Sequence, residues 1–161
     1  MEFVSKSPKE TQKIAANLAQ KIIKTKKAVD NRLAKSVIHS GAVIALEGEL
    51  GAGKTTFIQG FAKALGIRSK IKSPTFVLMK KYKLETGNWK LETNLYHLDC
   101  YRVGSYKDLK IPEFKDIIQK PNNIVLIEWA ERVREILPKK HITVHIDHIS
   151  KNVRKIKIDN F

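Results

Sequence analysis

A chain of 161 residues is one domain by size, and a domain of that order buries about 68–70% of its unfolded surface, so it needs no covalent staple. Its single cysteine, Cys100, excludes an internal disulfide, and the lack of spaced Cys/His pairs excludes a zinc signature. The formal net charge of +15, from 31 Lys+Arg against 16 Asp+Glu, favours phosphate-bearing partners without naming one: the lysines are spread over every segment, and no RNA-reading signature accompanies them.

The start, MEFVSKSPKETQKIAANL, has no apolar core followed by a small-residue cleavage site, and the longest apolar run, Ala42 to Leu46, is far too short to cross a bilayer. A soluble, unexported, cytoplasmic protein with no membrane partner is expected. Within 8–23, Ile14, Leu18 and Ile22 recur at spacing four beside Ala15 and Ala19, which predicts an amphipathic helix starting at Ser7-Pro8. The charged stretch that follows, KTKKAVDNRLAKSVIHSG, fits a helical extension or a loop equally well. AVIALEG (42–48), a continuous apolar run closed by glycine, predicts a strand covered on both faces in a parallel sheet. Phe57, Phe61, Ala64 and Leu65, with Gly66 as a stop, then predict a helix of about three turns.

TFVLMKKY (75–82) and LETNLYHLD (91–99) both read as strands, and Gly87-Asn88 between them favours a hairpin or meander. Ser105 to Leu109 and Glu113 to Ile118 are short helix candidates around Pro112, and Pro121-Asn122-Asn123 marks a turn. IVLI (124–127) predicts a second buried strand ending at Glu128 and Trp129, and AERVREILP fits a short helix stopped by Pro138. In the tail, Ile142, Val144 and Ile146 lie on one face. Val153, Ile156 and Ile158 follow a turn region at Asp147 to Asn152, so two half-buried strands complete the sheet.

Between the first buried strand and its helix, Gly48-Glu49-Leu50-Gly51-Ala52-Gly53-Lys54-Thr55 matches GxxxxGK[ST]. Glycines let backbone N–H groups point at phosphate oxygens, and the following helix adds the positive end of its dipole. The lysine reaches the β- and γ-phosphates and the hydroxyl binds Mg²⁺. A merely tight strand-to-helix turn requires neither the lysine nor the threonine, and a dinucleotide fingerprint fails because Thr56 stands where it wants Gly or Ala. Gly48, Gly51, Ala52, Gly53, Lys54, Thr55 and Thr56 are therefore the expected phosphate-binding residues, with Thr55 also a metal ligand.

Such a loop needs an acidic metal partner at the end of a neighbouring strand, and Glu128, directly after IVLI, fits; the bland alternative is a surface glutamate past a strand end. Asp99, closing NLYHLD, fits either a carboxylate that polarises an attacking water or an ordinary turn-forming Asp. With no [NT]KxD element to read guanine, ATP is favoured over GTP. The fold class expected is α/β: a three-layer P-loop NTPase-type domain with a mixed parallel/antiparallel sheet, one unit over residues 1–161.

Together these motifs resemble a known family, the TsaE (YjeE) ATPases that assist threonylcarbamoylation of adenosine 37 in tRNA. GELGAGKTTF (48–57) resembles its P-loop, SPTF (73–76) its switch-like loop, YHLDCYR (96–102) its HxDxYR element and IEW (127–129) its Walker B strand end, all in family order. The resemblance implies a weak intrinsic ATPase that uses ATP and Mg²⁺, binds the TsaB–TsaD pair and supports its turnover. It further implies that Lys54 and Thr55 hold phosphate and metal and that Glu128 completes the metal site. Thr75 would sense or position the γ-phosphate, Asp99 would serve hydrolysis, and Trp129 would sit by the nucleotide. Read without the family, Thr75 is a β-branched strand starter and Trp129 a core aromatic. The heavy lysine content leaves tRNA contact open, direct or indirect. Two other readings compete. A small-molecule P-loop kinase wants an arginine-bearing lid that is not evident here, and a nucleotide-regulated RNA-binding module has no use for the Glu128 and Asp99 pair.

Overall fold

The AVIALE run forms β2 (Ala42–Glu47) at the centre of a seven-stranded sheet in the computed structural model, which describes residues 1–32, 41–74, 77–84, 93–109, 111 and 114–161. The sheet is completed by β1 (Glu2–Ser5), β3 (Met79–Lys83), β4 (Asn94–Asp99), β5 (Asn123–Glu128), β6 (Ile142–Ser150) and β7 (Val153–Asp159). Their spatial order is β1-β7-β6-β2-β5-β4-β3. β2 pairs in parallel with β5 on one side and β6 on the other, and β5 pairs in parallel with β4. Antiparallel pairs β3–β4, β6–β7 and β1–β7 extend both flanks.

Strand alternation produces the layers. Ile44, Leu46, Ile124 and Leu126 join one core with α1 (Pro8–Arg32) and α2 (Lys54–Ala64) through Leu18, Ile22, Phe57 and Phe61. Their neighbours Val43, Ala45, Val125 and Ile127 join a second core with α3 (Phe114–Gln119) and the 3₁₀ segment Ala130–Ile136. Both faces of the central strands are thus buried, which is why these strands read as unbroken apolar runs. The chain forms the three-layer α/β arrangement with a mixed sheet that the sequence predicts.

α1 starts where Ser7-Pro8 indicated: the Ser7 hydroxyl accepts the Glu10 N–H at 3.2 Å, and the Glu10 carboxylate accepts the Lys6 N–H at 2.7 Å. The helix continues to Arg32, so the extension reading holds that far; residues 33–40 lie outside the described residues. α1 crosses α2 at Gly60, where a Cβ would lie 2.4 Å from both Cα and O of Gln12.

Several boundaries differ from expectation. The strand expected over 75–82 begins only at Met79, because the Val77 and Leu78 N–H groups turn back to Pro74 O at 2.9 and 2.7 Å and Leu78 takes φ 63°. Thr75, Phe76 and the Gly87-Asn88 turn lie outside the described residues, although β3 and β4 pair antiparallel as a hairpin or meander requires. Ser105–Leu109 yields only a 3₁₀ turn over Tyr106–Asp108, and AERVREI is 3₁₀ with a non-helical Val133. In the tail, β6 runs on through Ser150, so the turn shrinks to Lys151-Asn152; residues 147–150 are exposed and carry no apolar alternation to mark a strand. The sequence carries no signal for β1. Four residues give no period to read, and this edge strand is fixed by pairing with β7.

Candidate functional site

The GELGAG loop leaves β2 beside β6 and turns into α2. At Gly48 the backbone has φ 132° and a Cβ would lie 2.3 Å from Ile146 O, so the approach of β6 admits only glycine. Gly51 and Gly53 follow with φ 77° and 108°. α2 begins at Lys54 with no capping side-chain hydrogen bond and no acidic residue in its first turn. A helix start of that kind, with its N–H groups and positive dipole end, suits an external anion.

Lys54 is buried and folds back over its own loop. Its Nζ donates to Gly48 O at 2.6 Å and Glu49 O at 2.9 Å, and it stands 3.7 Å from the centre of the Trp129 ring. Burial pulls its pKa below the usual lysine value, opposed by the carboxylates of Glu128, Glu131 and Asp99.

The pleat of two strands assembles the acidic side. On β4, His97 and Asp99 alternate with Leu98 and share the face of Leu95; on β5, Glu128 shares the face of Leu126. That is the face on which α2 begins, and Asp99 and Glu128 stand opposite each other in register. The Thr55 hydroxyl donates to Glu128, 2.9 Å from Oε2 and 3.1 Å from Oε1. From behind, the fully buried His97 places Nε2 2.8 Å from Glu128 Oε1, a contact in which the imidazole N–H donates to the carboxylate.

Asp99 takes the Tyr101 N–H at 2.9 Å on Oδ1, the bond of an Asx turn, so the turn-forming reading is realised. Its Oδ2 also accepts the Ser73 hydroxyl, which ties it to the SPTF loop. Trp129 follows Glu128 with φ 59° and packs partly against the second core, while its ring lies under Lys54 and 5.1 Å from that of Tyr101. Strain of this kind in a non-glycine residue gathers at functional sites. Burial pushes the neighbouring Cys100 thiol up to about 12, so it carries no thiolate chemistry at neutral pH.

The structure therefore brings Lys54, Thr55, Glu128, Asp99 and Trp129 together along the loop of Gly48, Gly51, Ala52 and Gly53, with Thr56 on the first turn of α2. Thr75 lies outside the described residues. Sequence reasoning assigned no role to three others. His97 and Ser73 sit inside the HxDxYR and SPTF elements, which flagged them without saying what they touch. Arg154 had no local signal: from β7 its Nε donates to Ala52 O at 2.9 Å.

The Thr55 hydroxyl and Glu128 carboxylate form a pair of hard oxygen donors that suits Mg²⁺, which takes one or two protein oxygens together with substrate phosphates and waters. No group of three or more His, Cys, Asp or Glu able to hold a metal exists among the described residues. Among those residues, no helix is long and apolar enough to cross a membrane.

Comparison with known proteins agrees with this geometry. The family model described as "Threonylcarbamoyl adenosine biosynthesis protein TsaE" matches residues 5–156. The chain is 36% identical over 126 residues to the tRNA threonylcarbamoyladenosine biosynthesis protein TsaE of Bacillus subtilis, covering 78% of this chain and 73% of that one. To the protein of the same name from Aquifex aeolicus it is 31% identical over 159 residues, 98% of this chain and 94% of the other. A crystal structure of Bacillus subtilis YdiB superposes with a TM-score of 0.65 at 32% identity, covering 98% of this chain and 83% of that one.

Proposed function

We propose, for a chain that belongs to the TsaE family and so to tRNA threonylcarbamoyladenosine biosynthesis, that it is a slow Mg²⁺-dependent ATPase of the cytoplasm. In this reading it assists the TsaB–TsaD pair in threonylcarbamoylation of adenosine 37 in tRNA. The observation that carries the reading is the Thr55–Glu128 hydrogen bond beside Lys54, at the start of an uncapped helix. A phosphate-binding turn without catalysis would not need a buried carboxylate aimed at the loop's hydroxyl.

The residues divide the work. The loop glycines and the start of α2 bind the phosphates, and Lys54 exchanges its carbonyl contacts for phosphate oxygens, a stronger charge-assisted pair. Thr55 and Glu128 hold Mg²⁺, which when bound neutralises charge on the terminal phosphates. His97 keeps the Glu128 carboxylate turned toward Thr55. Asp99, in register beside Glu128 at the end of the neighbouring strand, orients the attacking water. Thr75 positions the γ-phosphate from the SPTF loop, and Trp129 shields Lys54.

The test is steady-state ATP turnover with and without TsaB–TsaD, alongside reconstituted tRNA modification. Wild type should turn over slowly alone, and its turnover should change on adding the pair. Lys54→Ala and Glu128→Ala should each lower turnover by about 10²-fold, the usual cost of one preorganised charge-stabilising group. Partners that neither bind the chain nor alter its turnover would overturn the assignment.

A further inference from the structure

Exposed cations make a docking surface where they gather around a concave floor and keep no acidic partner of their own. One such place lies at the end of α2 remote from the phosphate loop. There a groove of about 700 Å³ runs between α1, α2 and the segment 66–71, lined by Gln12, Gln59, Lys63, Arg68, Ser69 and Lys70 among others.

Three observations single it out. The first is charge. Lys63, Arg68 and Lys70 are exposed, no aspartate or glutamate lines the groove with them, and none of the three forms an ion pair among the described residues. Lys155, Lys157 and Arg134, by contrast, are paired with Glu2 at 3.2 Å, Asp159 at 3.1 Å and Glu47 at 2.9 Å. A cleft of about 440 Å³ beside β6 carries Glu47, Glu49, Glu131 and Asp147, which repel a polyanion.

The second is how the groove is built. α2 closes in a Schellman motif: Gly66 takes φ 85°, its N–H donates to Lys63 O at 3.0 Å, and the Ile67 N–H donates to Ala62 O at 3.1 Å. The carbonyls of Ala62 and Lys63, part of the negative end of the helix, are thus satisfied by backbone instead of facing an incoming anion. At the other end of the segment, Gln59 Nε2 donates to Ile71 O at 3.1 Å. The backbone that carries Arg68 and Lys70 is therefore pinned on both sides.

The third is the lack of apolar exposure. None of the exposed large hydrophobic side chains of the described residues lines the groove. A protein partner is anchored by aromatic and apolar side chains, and a membrane surface takes an inserted apolar face. A nucleic-acid backbone needs cations and hydrogen-bond donors, which the two lysines, Arg68, Ser69 and the Gln12 amide supply.

We propose that this groove docks the phosphate backbone of tRNA, with Arg68 and Lys70 as phosphate contacts and Lys63 beside them on α2. The inference rests on the reading above of a chain that acts in tRNA modification, and adds to it a face that touches the RNA directly. α2 has 11 residues, so its two ends lie about 16 Å apart at 1.5 Å per residue, and RNA and nucleotide have room to bind together.

Binding of an unmodified tRNA transcript to the full chain tests it, measured over a salt series for wild type and two double variants. Arg68→Gln with Lys70→Gln changes the groove; Lys139→Gln with Lys140→Gln changes an exposed pair outside it and lowers the net charge equally. The groove variant should bind tRNA at least about tenfold more weakly, the loss of a charge-assisted hydrogen bond. Its slope of log affinity against log salt should flatten by about two, one for each phosphate contact. Its MgATP turnover should equal wild type, and saturating MgATP should leave tRNA affinity unchanged. Polyglutamate and phosphatidylserine vesicles serve as acidic-protein and membrane arms. Equal losses in the two double variants would mean that net charge alone matters, and competition by MgATP would put the RNA on the phosphate loop. A groove variant that loses affinity for polyglutamate or the vesicles but keeps it for tRNA would give the groove to another partner. Each of these results overturns the proposal, as does a wild type that binds no tRNA. The function proposed above fails separately, as turnover that ignores TsaB–TsaD.

Discussion

The His97 side chain is fully buried and has one hydrogen-bond partner among the described residues, the carboxylate that meets Thr55. On the proposed reading it is a positioning residue: without its N–H, Glu128 is free to turn away from Thr55. His97→Ala should lower kcat for ATP hydrolysis about tenfold, the scale seen when a group behind a ligand is lost, with a smaller change in KM. His97→Gln, which keeps a donor, should recover much of the rate. Equal loss in both variants, with KM rising in step, would mean that the histidine only packs. At this scale the sequence was half legible. The loop carries a spacing signal because its chemistry is local, and Glu128 and Asp99 are marked by closing strand-like runs, whereas a buried histidine bonded 31 positions away looks like any core residue. Arg154, reaching 102 positions back to Ala52, looks like any surface arginine.

Elements set the frame on which those side chains meet, and α1 and α2 approach closely at Gly60. Replacing Gly60 by Ala would gain helix propensity of about 0.5–1 kcal/mol, but its Cβ would press on the Gln12 backbone at 2.4 Å. Overpacking of that kind costs about 1–3 kcal/mol, and the backbone on the other side cannot swing away as a flexible side chain would. The crowding should win, so Gly60→Ala should lower the thermal midpoint while leaving the ATP-binding stoichiometry intact. A midpoint equal to or above wild type would show that the helices separate freely. Legibility among the elements followed burial. β2, β5 and α2 announce themselves because both faces of the sheet are covered there. β3 was displaced because an apolar TFVLM run hides the turn after Pro74, and the β6–β7 hairpin tip, exposed on both sides, offered no alternation.

For the whole molecule, the parallel strands β6-β2-β5-β4 bring two carboxylates and a glycine loop to one edge of a chain whose net charge is +15. That field draws polyanions but does not select among them; selection falls to the loop, where a buried ammonium rests on two carbonyls and an indole face. The central claim is that Lys54 trades those contacts for nucleotide phosphate. Calorimetric titration of MgATP into wild type and Lys54→Ala tests it most directly. Wild type should bind one equivalent, and the variant, folded by its thermal midpoint, should bind at least about tenfold more weakly, the loss of a charge-assisted hydrogen bond. A folded variant that binds MgATP as tightly as wild type would contradict the account.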